Sequence, residues 1–151
     1  MEIKNLYKWC AVPAEQLASH PDRKIPFRMV SNSAEMGRVM AEELAQEIER
    51  ANAENRIFRA IIPCGPSCWY KPFEDVVNER NISLKNFVVF HMDECLDWQG
   101  RELNYNDPYN FRAFMEKHFY GGIKKELQVP QEQRFFLSPA TMETVRSEIY
   151  K

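Results

Sequence analysis

No stretch of the 151-residue chain stays apolar for the roughly 20 residues that a membrane-crossing helix needs. The amino end also lacks the charged-then-apolar pattern of a secretion signal. There is no basic tract: 20 lysines and arginines against 22 acidic residues leave a formal charge of −2, which argues against a nucleic-acid partner. Cysteine is sparse. Four residues do not make a dense disulfide framework, so the reading is a reducing, cytoplasmic setting. What remains is an ordinary globular composition, 44% apolar with a mean hydropathy of −0.54. A chain of this length buries roughly 68–70% of its unfolded surface.

The most informative stretch runs from Phe87 to Tyr120. Phe87-Val88-Val89-Phe90 has the length and composition of a buried strand, and His91-Met92-Asp93-Glu94 follows at its end. A polar loop covers Cys95 to Asn106. Asp107-Pro108 then reads as an N-cap with proline at the first helical position. The helix it opens shows an apolar face at Phe111, Phe114, Met115 and Phe119, and Gly121-Gly122 stops it.

Upstream, residues 1–26 read as an amino-terminal extension, because Pro13, Pro21 and Pro26 interrupt any long helix or central strand. Phe27-Arg28-Met29-Val30 reads as a short strand. Met36, Met40, Leu44, Ile48 and Ala51 then mark one face of a surface helix, with Asn32 and Glu35 in capping-box positions. Ile57–Ile62 is a second strand. It runs into Pro63-Cys64-Gly65-Pro66-Ser67-Cys68, a turn of the kind that presents backbone N–H groups to an anion at a helix start. A helix over 69–80, a strand at Arg134–Leu137 and a helix from Ser138 onward complete the pattern. Strands alternating with helices predict an α/β fold, a three-layer αβα sandwich around a mostly parallel Rossmann-like sheet. In such sheets ligands bind at the carboxyl ends of strands, and this singles out Asp93.

Cys64, Cys68 and Cys95 admit two other readings. A C-x-x-x-C spacing is one residue too long for the thioredoxin-type motif. With His91 the three cysteines have the inventory of a Cys₃His zinc site, but small buried cysteines are commonly inert, and no bound metal is expected.

The H-M-D-E strand end and the P-x-x-F-x-x-F-M-x-x-x-F-Y helix together resemble the glucosamine-6-phosphate deaminase/isomerase family. There the strand ends in N-M-D-E and the helix reads P-x-x-Y-x-x-F-M-x-x-x-F-F. The likeness begins near Phe27, which makes 27–151 a family-like domain, and it covers about four-fifths of the chain. His91, Phe111 and the rebuilt loop Cys95-Leu96-Asp97-Trp98 depart from the pattern. The resemblance implies amino-sugar phosphate chemistry with a small sugar phosphate as ligand, no cofactor, and self-association. Asp93 would be the catalytic base that moves a proton between C1 and C2, with Glu94 beside it. Cys64, Gly65 and Ser67 would stand in the substrate-binding turn. A sister activity, hydrolysis of 6-phosphogluconolactone, shares the fold. The family's later G-H-I-A-F-N-E-P segment has no counterpart here. The resemblance therefore reaches only an amino-terminal half, implying an incomplete sheet and no ammonia release by this chain alone. The non-enzymatic alternative is a sugar-phosphate binder or an interaction domain.

Overall fold

The computed structural model describes residues 3–151, which divide into two compact units at Asn32–Ser33. The first unit holds two short helices, α1 (Ile3–Cys10) and α2 (Ala14–Leu17). Ile3, Leu6 and Tyr7 of α1 are exposed, and Trp9 packs at a tilt against His20 at a ring distance of 5.0 Å. Phe27–Val30 forms no β-strand, contrary to the sequence expectation. Phe27 and Met29 remain exposed, so no burial compensates for ordering them into a sheet.

The second unit opens with α3 (Ser33–Ala53), whose Gly37, Ala41, Ala45, Ile48 and Ala51 form the buried stripe. β1 (Phe58–Ile62) follows, and a 3₁₀ turn at Ser67–Trp69 leads into α4 (Tyr70–Arg80). Asn81 closes α4 in the left-handed conformation, at φ 53°. β2 (Phe87–His91) is the central strand, one residue longer than its apolar run suggests. Then come α5 (Phe111–Met115), a π-helical turn (Glu116–Tyr120), β3 (Arg134–Phe135) and α6 (Met142–Ile149). The order is β1-β2-β3 and both pairings are parallel, with Ile62 opposite His91 and Phe90 opposite Phe135. With helices flanking this sheet, the fold is α/β.

Side-chain alternation decides where the core lies. Phe58, Ala60, Ile62, Phe87 and Val89 belong to one cluster with Phe73, Val77, Met115 and Phe119 from the helices. Phe73 and Phe119 stack at 5.7 Å, and Trp69 meets both edge-on. On the opposite face Phe90 stacks on Phe135 at 4.9 Å. That face is thin at β1, where Arg59 is exposed and Ile61 is 52% exposed. Among the described residues no helix is long and apolar enough to cross a membrane.

The helix expected to start at Asp107-Pro108 starts three residues later. The Asp107 carboxylate accepts the Tyr109 N–H at 2.9 Å in a local turn, and Asn110 takes the capping role instead, accepting the Ala113 N–H at 2.7 Å.

Candidate functional site

Three carboxyl-terminal strand ends meet in parallel, and the middle one carries the acidic pair. Asp93 lies two residues beyond β2, and its Oδ1 accepts the backbone N–H of Cys64 at 3.0 Å. That bond crosses from the end of the central strand to the turn after β1, so Asp93 and the turn form one local structure. Among the described residues no donor meets the second carboxylate oxygen.

The turn is held from below by Tyr70. Its hydroxyl accepts the Gly65 N–H at 2.8 Å and lies 3.1 Å from the Pro63 carbonyl and 3.3 Å from the Met115 sulfur. Burial pushes the Tyr70 phenol up to about 12, with the neighbouring Cys64 and Asp93 acting in the same direction, so the hydroxyl stays protonated. Gly65 occupies φ +122°, a conformation open to glycine, and the Gly65–Pro66 peptide is cis. The turn therefore differs from the anion cradle anticipated. The N–H groups of Cys64 and Gly65 already have internal acceptors, and Pro66 has none to offer. Ser67 and Cys68 are the main-chain donors left at the helical start. Cys64, Gly65 and Ser67 instead wall an open cleft of about 230 Å³, completed by Pro108, Phe111 and Phe114.

Glu94 is fully engaged in positioning. Its Oε1 accepts the N–H of Cys95 at 2.9 Å and of Phe111 at 2.7 Å, while Oε2 accepts that of Arg112 at 2.9 Å. A strand-end carboxylate thus caps the first turn of α5 and closes the 95–110 loop at its base. Such charge-assisted bonds to a helix N-terminus are stronger than neutral ones. The arrangement makes Glu94 a clamp between the end of β2 and the start of α5.

His91 faces inward, where its Nε2 lies 3.0 Å from the Tyr120 hydroxyl and its ring stacks on Phe136 at 4.0 Å. Burial, reinforced by Arg134, pushes its pKa down to about 3, so the imidazole is neutral at ordinary pH. Among the described residues no three His, Cys, Asp or Glu side chains converge as metal ligands. Burial, followed by the charges of Asp93 and Glu94, pushes the Cys64 thiol up to about 11. A thiol in that state is a poor nucleophile. All four cysteines are free.

Two parts of this arrangement were missed from the sequence. Tyr70 gave a usable signal, an aromatic hydroxyl three residues past Ser67 on the same helical turn. Asn110, which also ties the loop through its Nδ2 to the Leu103 carbonyl at 3.1 Å, gave none that Asp107 did not give more strongly.

No family model matches the chain, and no curated protein matches it. Among solved structures it is similar to a monomeric glucosamine-6-phosphate deaminase described as a missing link of the NagB superfamily, with a TM-score of 0.61 at 16% identity. The match covers 80% of this chain and 48% of that one, so the chain spans about half the length of the solved deaminase. The likeness is one of fold.

Proposed function

We propose that the chain carries the proton-transfer part of an amino-sugar phosphate isomerase/deaminase site, with Asp93 as the base. The observation that carries the reading is the seat of Asp93: at the carboxyl end of the central strand, tied by one oxygen to the Cys64 N–H, with the other oxygen uncommitted. A base must be oriented without having its proton-accepting atom consumed, and this arrangement meets both conditions. The similarity of fold to a solved deaminase supports the substrate class.

In this reading Asp93 takes the proton from C2 of the open-chain 2-amino aldose phosphate. The C–H electrons form the C1–C2 double bond as the C1 oxygen is protonated, giving an enolamine. Asp93 then returns its proton to C1, the C2–N bond becomes an imine, and water replaces ammonia at C2 to leave the ketose phosphate. Glu94 positions the strand end and α5, while Cys64, Gly65 and Ser67 wall the cleft. The sugar phosphate is held through side chains and the Ser67–Cys68 donors more than through the first two amides of the turn.

Solvent-deuterium incorporation at C1 of fructose 6-phosphate in ammonium buffer, where ammonia condenses at C2 with loss of water to give the imine, followed by proton NMR, tests the proton-transfer step without requiring ammonia release. The chain should exchange this hydrogen above the buffer rate, and Asp93→Asn should lower the rate by roughly 10²–10⁴-fold. Exchange at the buffer rate, or an unchanged rate in Asp93→Asn, refutes the assignment.

A further inference from the structure

In a doubly wound sheet the first strand lies inside, with a neighbour on each side. Here the order β1-β2-β3 leaves β1 with one neighbour and an open outer edge. The ladder decides which groups that edge presents. The Phe58 N–H donates to the Asn86 carbonyl at 2.9 Å, and the Ile62 carbonyl accepts the Met92 N–H at 3.0 Å. Residues 58, 60 and 62 therefore turn their main-chain groups toward β2. Arg59 and Ile61 turn theirs outward, where among the described residues these N–H and C=O groups meet no protein partner. The surroundings are apolar. Ile61 is 52% exposed and Ile57 44%, and Met40, Leu44, Ile62, Pro63 and Trp69 line an open groove of about 330 Å³ beside Ile61.

An edge of this kind accepts another strand, and a second copy of β1 fits it in one register. A two-fold axis sets identical strands antiparallel. Centred on Ala60, it places Arg59 opposite the second copy's Ile61, and Ile61 opposite the second copy's Arg59. Each such pair exchanges two main-chain hydrogen bonds, so every outward group of Arg59 and Ile61 is satisfied on both strands. The aliphatic stem of Arg59 then covers the exposed Ile61 across the gap. Ala60 lies at the axis itself, where a methyl leaves the strands room to meet. The neighbouring registers are poorer. A centre on Arg59 brings two guanidinium groups directly opposite each other, a repulsive pair. A centre on Ile61 sets Arg59 against Pro63, which has no N–H to return.

We propose that β1 pairs with β1 of a second copy of this chain about a two-fold axis at Ala60, joining two three-stranded sheets into one of six strands. The proposal goes beyond the sugar-phosphate reading and does not rest on it. A five-residue edge with one groove beside it belongs at or below the standard interface of about 800 Å² per partner. Dissociation is accordingly expected at roughly 1–100 μM.

The test is sedimentation velocity of the full chain over a concentration series that brackets this range, where a reversible monomer–dimer equilibrium is expected. Ile61→Pro deletes an outward N–H and leaves the ladder to β2 untouched, as proline permits at an edge. It removes two of the four hydrogen bonds across the axis, and Ile61→Lys sets like charges opposite each other. Each should weaken the dimer at least about tenfold, with circular dichroism reporting that the fold is kept. Ala60→Cys in a Cys10→Ser background brings two thiols to the axis. Opposite Cα atoms of a non-hydrogen-bonded pair lie about 4.5 Å apart, within disulfide reach. Mild oxidation should therefore lock a covalent dimer that Cys10→Ser alone does not form. A monomer throughout the series overturns the proposal. So does a dimer that ignores both Ile61 substitutions, or one that Ala60→Cys fails to lock, because the contact then lies on another surface or in another register. If Ile61→Pro unfolds the chain, Ile61→Lys and the crosslink decide the matter.

Discussion

Glu94→Ala isolates the clamp at the base of the 95–110 loop. Three backbone N–H groups lose a charged acceptor: Cys95 and Phe111, which are part-buried, and Arg112, which is near water. Water re-solvates the Arg112 amide, so its loss is small. The other two are left short of a partner at roughly 1–2 kcal/mol each, the lower part of the range for unsatisfied buried donors. Asn110 still caps Ala113, so α5 keeps one of its N-terminal bonds. The sum is a destabilisation of about 2–4 kcal/mol, which for a chain of this size lowers Tm by roughly 4–16 °C. Glu94→Gln retains one acceptor oxygen but turns an amide N–H₂ toward the remaining donors. It should cost about half as much, and the ordering of the two variants is itself a check. Urea unfolding gives the magnitude, and hydrogen exchange at Phe111 and Arg112 gives the location. If Glu94→Ala changes stability by less than about 0.5 kcal/mol, or leaves both amides protected, the clamp is not what holds α5 to the strand end.

Two further perturbations follow from the core. His91 is neutral when folded, with a pKa near 3 against an ordinary value of 6.5. The unfolded chain therefore binds more protons between those values. His91 thus contributes stability that is fully present above about pH 6.5 and lost as pH falls toward 3, on the order of a few kcal/mol. Urea midpoints at pH 7 and pH 5 should differ more for the unsubstituted protein than for His91→Gln, and parallel acid limbs would refute this. Gly37→Ala would place a methyl against the Cys68 backbone carbonyl, where α3 crosses the start of the 3₁₀ turn. Backbone cannot yield there as a side chain end would, so calorimetry should show a loss of about 1–3 kcal/mol.

Elements held by their own hydrophobic pattern were legible in the sequence. β1, β2, α3 and α4 appear within a residue or two of their expected bounds, because apolar runs and helical periodicity are local signals. Phe27–Val30 carries the same composition yet forms no strand, since a strand also needs a partner and a covered face. The start of α5 slipped from Asp107 to Asn110 because Asp107 spends its carboxylate on Tyr109, a choice between two nearby caps that composition does not resolve. The position of Asp93 beside the β1 turn followed from strand order alone. What escaped were the long-range polar ties. Glu94 meets Phe111 across 17 residues and Cys64 meets Asp93 across 29, and no window of sequence displays such pairings. The occupation of the Gly65 amide by Tyr70 was hidden for a related reason, since it depends on which way a side chain turns beneath a loop.

The tie between Asp93 and residue 64 is made by the main chain, and this has a consequence for how the chain can drift under mutation. The bond needs an amide hydrogen at position 64 and nothing of the thiol. Serine, alanine or threonine there supplies the same donor, so the anchoring of Asp93 is indifferent to nearly every codon change at that site. Proline alone lacks the hydrogen and is barred. The side chain most prominent in the sequence, a cysteine beside a glycine-proline turn, takes no part in that anchoring. The constraint falls on the backbone path and on the identity of residue 93.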